Sequence, residues 1–192
     1  MTAAFQMLFP GAPAIYYGDE AGITGENDPD CRKCMVWDEQ ADQDLLQWYK
    51  KIIFIRKTHR CIREGAYRTI LADHKEPVFA FIRYYGEKES SETIYALFNN
   101  SSEPKKILCP ILEDGEYTDL LSENTELYLA RPFTGQFCNQ DITAYQAVIS
   151  VEMPPYAVKV IKKKGGYQNE EQQKSTGDLT HNCDLLGGVG RM

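Results

Sequence analysis

The residues best suited to chemistry are concentrated between Gly18 and Asp38. This segment carries two acidic pairs, Asp19 with Glu20 and Asp28 with Asp30, ahead of a CxxC motif. Two facing carboxylates could divide the roles of general acid and general base. Adjacent residues at a strand end point to opposite faces, however, so Asp19 and Glu20 cannot face each other. We therefore expect no catalytic pair among the acids of this segment.

The CxxC motif of Cys31 and Cys34 has the spacing of many zinc and redox sites. A structural zinc ion takes four ligands, and no second pair with suitable spacing follows in the sequence. The other candidate ligands are isolated or lie in the polar C-terminal tail: His59, His74, His181 and Cys183. The sequence therefore predicts no metal site and no cofactor.

Composition narrows the class of protein further. The net charge of −7 over 192 residues argues against nucleic acid or an anionic membrane as a partner, because both would repel the chain. No apolar run approaches the ~20 residues needed to span a bilayer. The N-terminus has no basic region typical of a signal peptide, and the six cysteines are scattered. These features predict reduced thiols and a cytoplasmic protein.

The elements that position this segment can be read from hydrophobic periodicity. Thr2 to Phe9 resembles the last turns of a helix that is stopped by a Pro-Gly break. Pro13 to Tyr17 is continuously apolar, as a parallel strand covered on both faces would be. The long loop Gly18 to Asp38 follows, and loops of this length inside a compact domain are usually functional. Asp44 to Arg60 is predicted as a helix, with one apolar face formed by Leu45, Trp48, Ile52 and Ile55.

The pattern changes to short strands after Gly65. Turn-rich clusters separate runs rich in β-branched and aromatic residues, which predicts an antiparallel sandwich. The predicted strands cover residues 67–71, 78–85, 93–98, 106–109, 117–121, 126–129, 147–151 and 157–161. The Gln- and Glu-rich tail after Lys164 has no periodicity and is predicted to be disordered.

A single parallel strand cannot stand alone, because its backbone groups need parallel neighbours and their crossover helices. No such units precede Pro13 in this sequence. On physical grounds, the first 60 residues are therefore expected to be the closing piece of a larger α/β structure.

The stretch FQMLFPGAPAIYYGDEAGITGENDPDCRKCMVWD resembles the end of the catalytic barrel of α-amylase-family glycoside hydrolases, in the branch of neopullulanases, cyclomaltodextrinases and maltogenic amylases. The runs VFAFIR, IYALFNNSS, YTDLL and MPPYAVKVI resemble that family's C-terminal β-sandwich. The resemblance covers roughly residues 1–163. It implies the last strand-helix unit of a (β/α)8 TIM barrel over residues 1–62, an antiparallel β-sandwich over 63–163, and a disordered tail over 164–192.

The family's reaction is retaining hydrolysis of α-glucosidic links in cyclomaltodextrins, pullulan or maltooligosaccharides. It needs two carboxylates ~5–5.5 Å apart. The resemblance places all of the catalytic carboxylates upstream of residue 1, so the family implies no catalytic residue here and leaves enzymatic activity of this chain uncertain. Asp28 and Arg32 match sugar-binding residues of the family. An Arg fork and a carboxylate can each hold paired sugar hydroxyls, although an ion pair within the loop is the alternative.

Structural roles are favoured for the remaining residues of interest: Tyr17, Gly18, Glu20, Trp37 and Trp48. Two other functions stay open. The β-sandwich could be a carbohydrate-binding or assembly module, or the chain could be one half of a split glycosidase whose missing barrel portion is a separate polypeptide. An α-glucan oligosaccharide is the expected substrate of the complete enzyme.

Overall fold

The computed structural model describes residues 1–72, 76–86, 92–122, 127–132 and 147–165. Three helices come first: α1 (Thr2–Leu8), α2 (Gln43–Thr58) and α3 (Arg60–Glu64). Between α1 and α2 the chain forms only single 3₁₀ turns, at Asp19–Ala21, Asp30–Arg32 and Asp38–Gln40. Eight strands follow: β1 (Ala66–Ala72), β2 (Val78–Tyr85), β3 (Glu92–Asn99), β4 (Lys105–Ile111), β5 (Gly115–Asp119), β6 (Leu127–Pro132), β7 (Ala147–Met153) and β8 (Val158–Lys163).

The strands form one sheet in the order β1-β2-β3-β8-β5-β6-β7-β4, and every neighbouring pair is antiparallel. Each of the eight predicted strands is confirmed. The sheet encloses an apolar core in which β2, β3 and β8 contribute Ile82, Leu97 and Ile161, and β4 and β7 contribute Ile107 and Ile149. The predicted antiparallel β domain is therefore present.

A second core lies on the other face of the same sheet. Phe81, Phe98 and Val160 point away from the first core and pack against Leu8 of α1 and Ile52 of α2. This double burial explains why the middle of β2 and β3 is buried at consecutive positions, whereas β7 alternates between buried and exposed residues. The helices and the β domain thus pack together, as the short connection between them predicted.

Helix α2 follows the prediction for residues 44–60 with one break. The side chain of Asp42 caps its N-terminus by accepting a hydrogen bond from the backbone N–H of Leu45 at 2.9 Å. Tyr49, Ile52 and Ile55 are buried. The helix ends before His59, whose extended backbone separates α2 from α3.

The predicted parallel strand at Pro13 to Tyr17 is not formed in this structure, and its place in a larger sheet stays a prediction. The segment contains no strand, and the Tyr16 and Tyr17 side chains are 54% and 44% exposed. The physical reason is that none of the described strands lies beside the segment to complete a ladder. A (β/α)8 barrel is accordingly not seen in the described residues, and the assignment of residues 1–62 to one stays a prediction. The predicted tail lies outside the described residues from residue 166 onward.

Candidate functional site

The segment between Gly18 and Asp38 folds into a compact loop held by its own backbone. Gly25 lies so close to the following turn that a Cβ atom there would meet the carbonyl oxygen of Asp30 at 2.6 Å and the Cα of Cys31 at 2.8 Å. The Asp30 carboxylate accepts a hydrogen bond from the backbone N–H of Glu26 at 2.9 Å. The backbone N–H of Asp30 donates to the carbonyl of Asn27 at 2.8 Å. Only glycine at position 25 allows this close approach.

The structure brings Asp28 and Arg32 together on the surface of this loop. The Nε atom of Arg32 donates to Oδ1 of Asp28 at 2.7 Å, and Nη2 contacts both carboxylate oxygens. Both side chains are 62% exposed, so the ion pair contributes at most about 1 kcal/mol to stability. The loop-internal ion pair foreseen as the alternative therefore exists. It does not preclude binding, because two exposed charged groups already held in place can receive a polar ligand without further ordering.

Lys33 and Tyr17 tie the loop to the preceding segment. The Tyr17 hydroxyl donates to the carbonyl of Lys33 at 3.0 Å. The ammonium group of Lys33 donates to the carbonyl of Thr24 at 2.9 Å and lies 3.4 Å from the Asp30 carboxylate. Sequence reasoning missed Lys33, because nothing in its spacing distinguishes it from any other surface lysine.

Glu20 makes a structural contact of the kind predicted for it. Its carboxylate accepts a hydrogen bond from the backbone N–H of Gly18 at 3.1 Å, and Gly18 has the positive φ of 90° that favours glycine. Trp48 is partly buried against the second core, which lies between the sheet and the helices, as predicted. Trp37 differs from the prediction that it packs, because the residue is 69% exposed.

Asp30 and Glu92 both have lowered pKa values. The hydrogen bond from Glu26, followed by Lys33, lowers the pKa of Asp30. Burial would raise the pKa of Glu92, but hydrogen bonds from His59 and Cys61 and the charge of Lys162 lower it to about 2. A catalytic general acid needs a raised pKa, not a lowered one. Within the described ranges, no three His, Cys, Asp or Glu side chains converge on a metal-sized site.

Comparison with known protein families gives a match for the β domain. The family model described as the C-terminal all-beta domain of alpha amylase matches residues 69–164, half of the chain. This chain belongs to the α-amylase family.

The relatives of this α-amylase-family chain are much longer proteins. It is 35% identical to a cyclomaltodextrinase of Geobacillus thermopakistaniensis over 79% of this chain and 23% of the relative. An intracellular maltogenic amylase of Bacillus subtilis is 46% identical over 44% of this chain and 15% of the relative. The chain therefore spans about a quarter or less of the curated relatives that it matches.

A solved cyclomaltodextrinase structure superposes on 84% of this chain and 25% of its own length, with a TM-score of 0.64 and 27% identity. An Anoxybacillus α-amylase structure matches 85% of this chain with a TM-score of 0.64, at 23% identity, and supports the fold alone. In the part of the chain that the structure describes, every helix is too short or too polar to cross a membrane.

Proposed function

We propose that this α-amylase-family chain is the C-terminal portion of a retaining α-glucan hydrolase that acts on cyclomaltodextrins, pullulan or maltooligosaccharides. Residues 1–62 would complete the enzyme's (β/α)8 barrel, and residues 63–163 would form its C-terminal β-sandwich. The observation that carries this proposal is the extent of the match. The alignment with the Geobacillus cyclomaltodextrinase covers 153 residues, more than the 130 that follow Ile62, so it reaches into the first 62 residues.

The surface of the first 62 residues supports the same proposal. Tyr16, Tyr17, Trp37 and Phe54 all belong to this part of the chain and are exposed large apolar side chains. Tyr16 and Tyr17 lie side by side, with ring centroids 4.7 Å apart, and contiguous exposed apolar surface marks a place that another part of a protein covers. In the proposed enzyme, the rest of the barrel would cover them, and Pro13 to Tyr17 would gain the ladder partners that it lacks.

Asp28 and Arg32 are proposed to bind substrate in the complete enzyme. Both are exposed and already paired, so a glucose unit could accept hydrogen bonds from the guanidinium group and donate to the carboxylate. Each charged hydrogen bond would contribute ~1.5–3 kcal/mol. We expect Asp28→Asn to raise KM for maltooligosaccharides about tenfold in the longer enzyme. Glu64→Gln, which breaks an exposed ion pair of the same spacing with Arg60, is the matched control and should leave KM unchanged.

The chain by itself is proposed to be inactive, because the carboxylates that the family uses would lie upstream of residue 1. The test is an assay of cyclomaltodextrin and pullulan hydrolysis with the purified 192-residue chain. No turnover above background is expected. A clear rate that disappears on replacing one of this chain's own acids would overturn this proposal.

The fragment proposal is tested separately by the mass of the native polypeptide in its source cells, detected with an antibody to the β domain. A polypeptide several hundred residues longer than this chain is expected. A band near 21.9 kDa would instead favour a split enzyme with a partner chain. A cytoplasmic location is also proposed, and the relative named as an intracellular maltogenic amylase supports it.

A further inference from the structure

The buried Arg83 of β2 links the β domain to the end of α1. Its side chain projects from the same side of the strand as that of Phe81, two positions earlier, and therefore toward the helices. Only 2% of the residue is exposed. Nη1 donates to the carbonyl of Leu8 at 3.0 Å, whereas Nη2 and Nε donate to the carbonyls of Gly65 and Ala66 at 2.8 Å and 3.3 Å. A cation is costly to bury, and these hydrogen bonds replace the hydration that the guanidinium group loses.

The contacts at Gly65 give Arg83 a fixed base. A Cβ atom on Gly65 would overlap the carbonyl oxygens of Cys61 and Tyr84, so the α3–β1 junction is packed closely against β2. The backbone N–H of Gly65 also donates to the carbonyl of Cys61 at 3.0 Å. Arg83 therefore ties the carbonyl of Leu8 to main chain that has little room to shift.

Helix α1 in turn holds the segment that leads into the Gly18–Asp38 loop. Nε2 of Gln6, on α1, donates to the carbonyl of Ala14 at 2.5 Å, and Ile15 packs against the second core. Among the described strands none pairs with this segment, so side-chain contacts, not a strand ladder, fix its position. Arg56 of α2 shares the hold on the end of α1. The position of Ala14 therefore follows from that of α1.

Tyr17 carries this positioning on to the ion pair of Asp28 and Arg32. Its hydroxyl donates to the carbonyl of Lys33 at 3.0 Å, and Lys33 directly follows Arg32. The Arg32 guanidinium then holds the Asp28 carboxylate at 2.7 Å. A continuous series of contacts thus leads from Arg83, through α1 and Tyr17, to the exposed pair.

We propose that Arg83 is a positioning residue for substrate binding: it holds the end of α1 and thereby sets where the Asp28–Arg32 pair stands. The inference rests on the proposed sugar-binding role of that pair. Hydrogen bonds to sugar hydroxyls weaken steeply when their distance or angle departs from the optimum, so a loop that is held less firmly binds more weakly. Arg83 is buried and acts only through the main chain of α1.

The first test measures the loop in the 192-residue chain by amide exchange and NMR. Arg83→Met keeps the length of the side chain and removes its donors, and should speed exchange at the Ile23 and Asp30 amides about threefold or more. Arg83→Lys retains one cationic donor group and should give a smaller increase. Protected amides in β7 show that the β domain of each variant is folded. Unchanged exchange at Ile23 and Asp30 in the folded variants would overturn the inference.

The second test compares KM with kcat in the longer enzyme, with maltohexaose as the substrate. Arg83→Met should raise KM about threefold and leave kcat within about twofold. Misfolding gives the opposite pattern, because inactive molecules lower the apparent kcat and leave KM unchanged. The matched control is Arg131→Met, which removes an exposed arginine of β6 and should change neither loop exchange nor KM.

The double variant that combines Arg83→Met with Asp28→Asn shows whether Arg83 acts through the loop. Its KM should equal that of Asp28→Asn alone, because a pair that is already broken cannot be misplaced further. KM effects that multiply, or an unchanged KM in Arg83→Met where Asp28→Asn raises it, would overturn the inference. An unchanged KM in Asp28→Asn would instead overturn the sugar-binding role on which the inference rests.

Discussion

At the scale of single residues, Glu92 connects the helices with the sheet through three polar contacts. Its carboxylate lies 2.5 Å from Nδ1 of His59, accepts the backbone N–H of Cys61 at 2.9 Å, and lies 3.3 Å from the ammonium group of Lys162. These contacts connect the α2–α3 junction with the first residue of β3 and with β8. They outweigh the effect of burial on the pKa of Glu92.

Glu92→Gln should therefore lower the free energy of unfolding. The pKa of Glu92 is lowered from 4.5 to about 2 in the folded chain. A depressed pKa means that the carboxylate stabilises the fold above about pH 4.5 and that this stabilisation is lost as the pH falls toward 2. We expect a loss of about 2–3 kcal/mol at neutral pH. Urea unfolding followed by Trp48 fluorescence, in a Trp37→Phe background, measures it.

Two comparisons make this prediction specific to Glu92. Glu64→Gln removes an exposed carboxylate that pairs with Arg60 and should cost no more than about 1 kcal/mol. The difference between the parent chain and Glu92→Gln should also shrink as the pH is lowered below 4.5. A difference that stays constant down to the acid limit would show that the Glu92 charge does not contribute.

At the scale of elements, two arginine side chains hold the C-terminal end of the short helix α1. Arg56 of α2 donates to the carbonyl oxygens of Met7 and Gly11 at 2.5 Å each. The buried Arg83 of β2 donates to the carbonyl of Leu8 at 3.0 Å. The last carbonyls of a helix have no partners inside the helix, and a cation there also complements the helix dipole. Two neighbouring elements thus fix a helix of only seven residues.

Arg56→Ala should loosen α1 without unfolding the sheet. Loss of charged hydrogen bonds worth ~1.5–3 kcal/mol each should speed amide exchange at Phe5 and Phe9 about tenfold or more. Lys164→Ala, which breaks an exposed ion pair with Glu116, should leave those amides unchanged. Hydrogen exchange measured by NMR compares the two variants. Unchanged exchange at Phe5 and Phe9 in Arg56→Ala would mean that apolar packing alone holds α1.

The strands were predictable from sequence because their signal is local. Each strand carries its own run of β-branched and aromatic residues between turn clusters, and for Val78–Tyr85 both ends were predicted correctly. Pro13 to Tyr17 was not predictable in the same way. Its continuous apolarity indicates a need for burial on both faces, but a ladder depends on partners elsewhere. Among the described strands none takes that position.

In the candidate site, too, only contacts between residues close in sequence could be predicted. Asp28 and Arg32 are four residues apart, so their pairing could be anticipated from the sequence. The contact of Tyr17 with Lys33 spans 16 positions and that of His59 with Glu92 spans 33. No periodicity links those residues, because only the folded chain brings them together.

At the scale of the whole molecule, one sheet carries a core on each face. Neighbouring residues of β2 show this division. Phe81 belongs to the outer core, between the sheet and the helices, and Ile82 belongs to the inner core, within the β domain; both are fully buried. Among the described residues, the buried side chains of the inner core, within the β domain, all lie on strands, whereas the outer core, between the sheet and the helices, depends on α1, α2 and α3. The β domain should therefore survive loss of the helical layer, but the helices should not survive loss of the sheet.

Phe81→Ala and Ile82→Ala, at adjacent positions of β2, test whether the helices depend on the sheet while the sheet does not depend on the helices. Each truncation removes a buried side chain and should cost about 2–5 kcal/mol at its own core. Trp48 fluorescence reports the helical layer, and amide exchange at Ile149 and Val151 reports the inner core. Phe81→Ala should shift the Trp48 transition to lower urea and leave the β7 amides protected, whereas Ile82→Ala should weaken both. If Phe81→Ala exposed the β7 amides equally, helices and sheet would form a single cooperative unit, and the β domain could not fold without them.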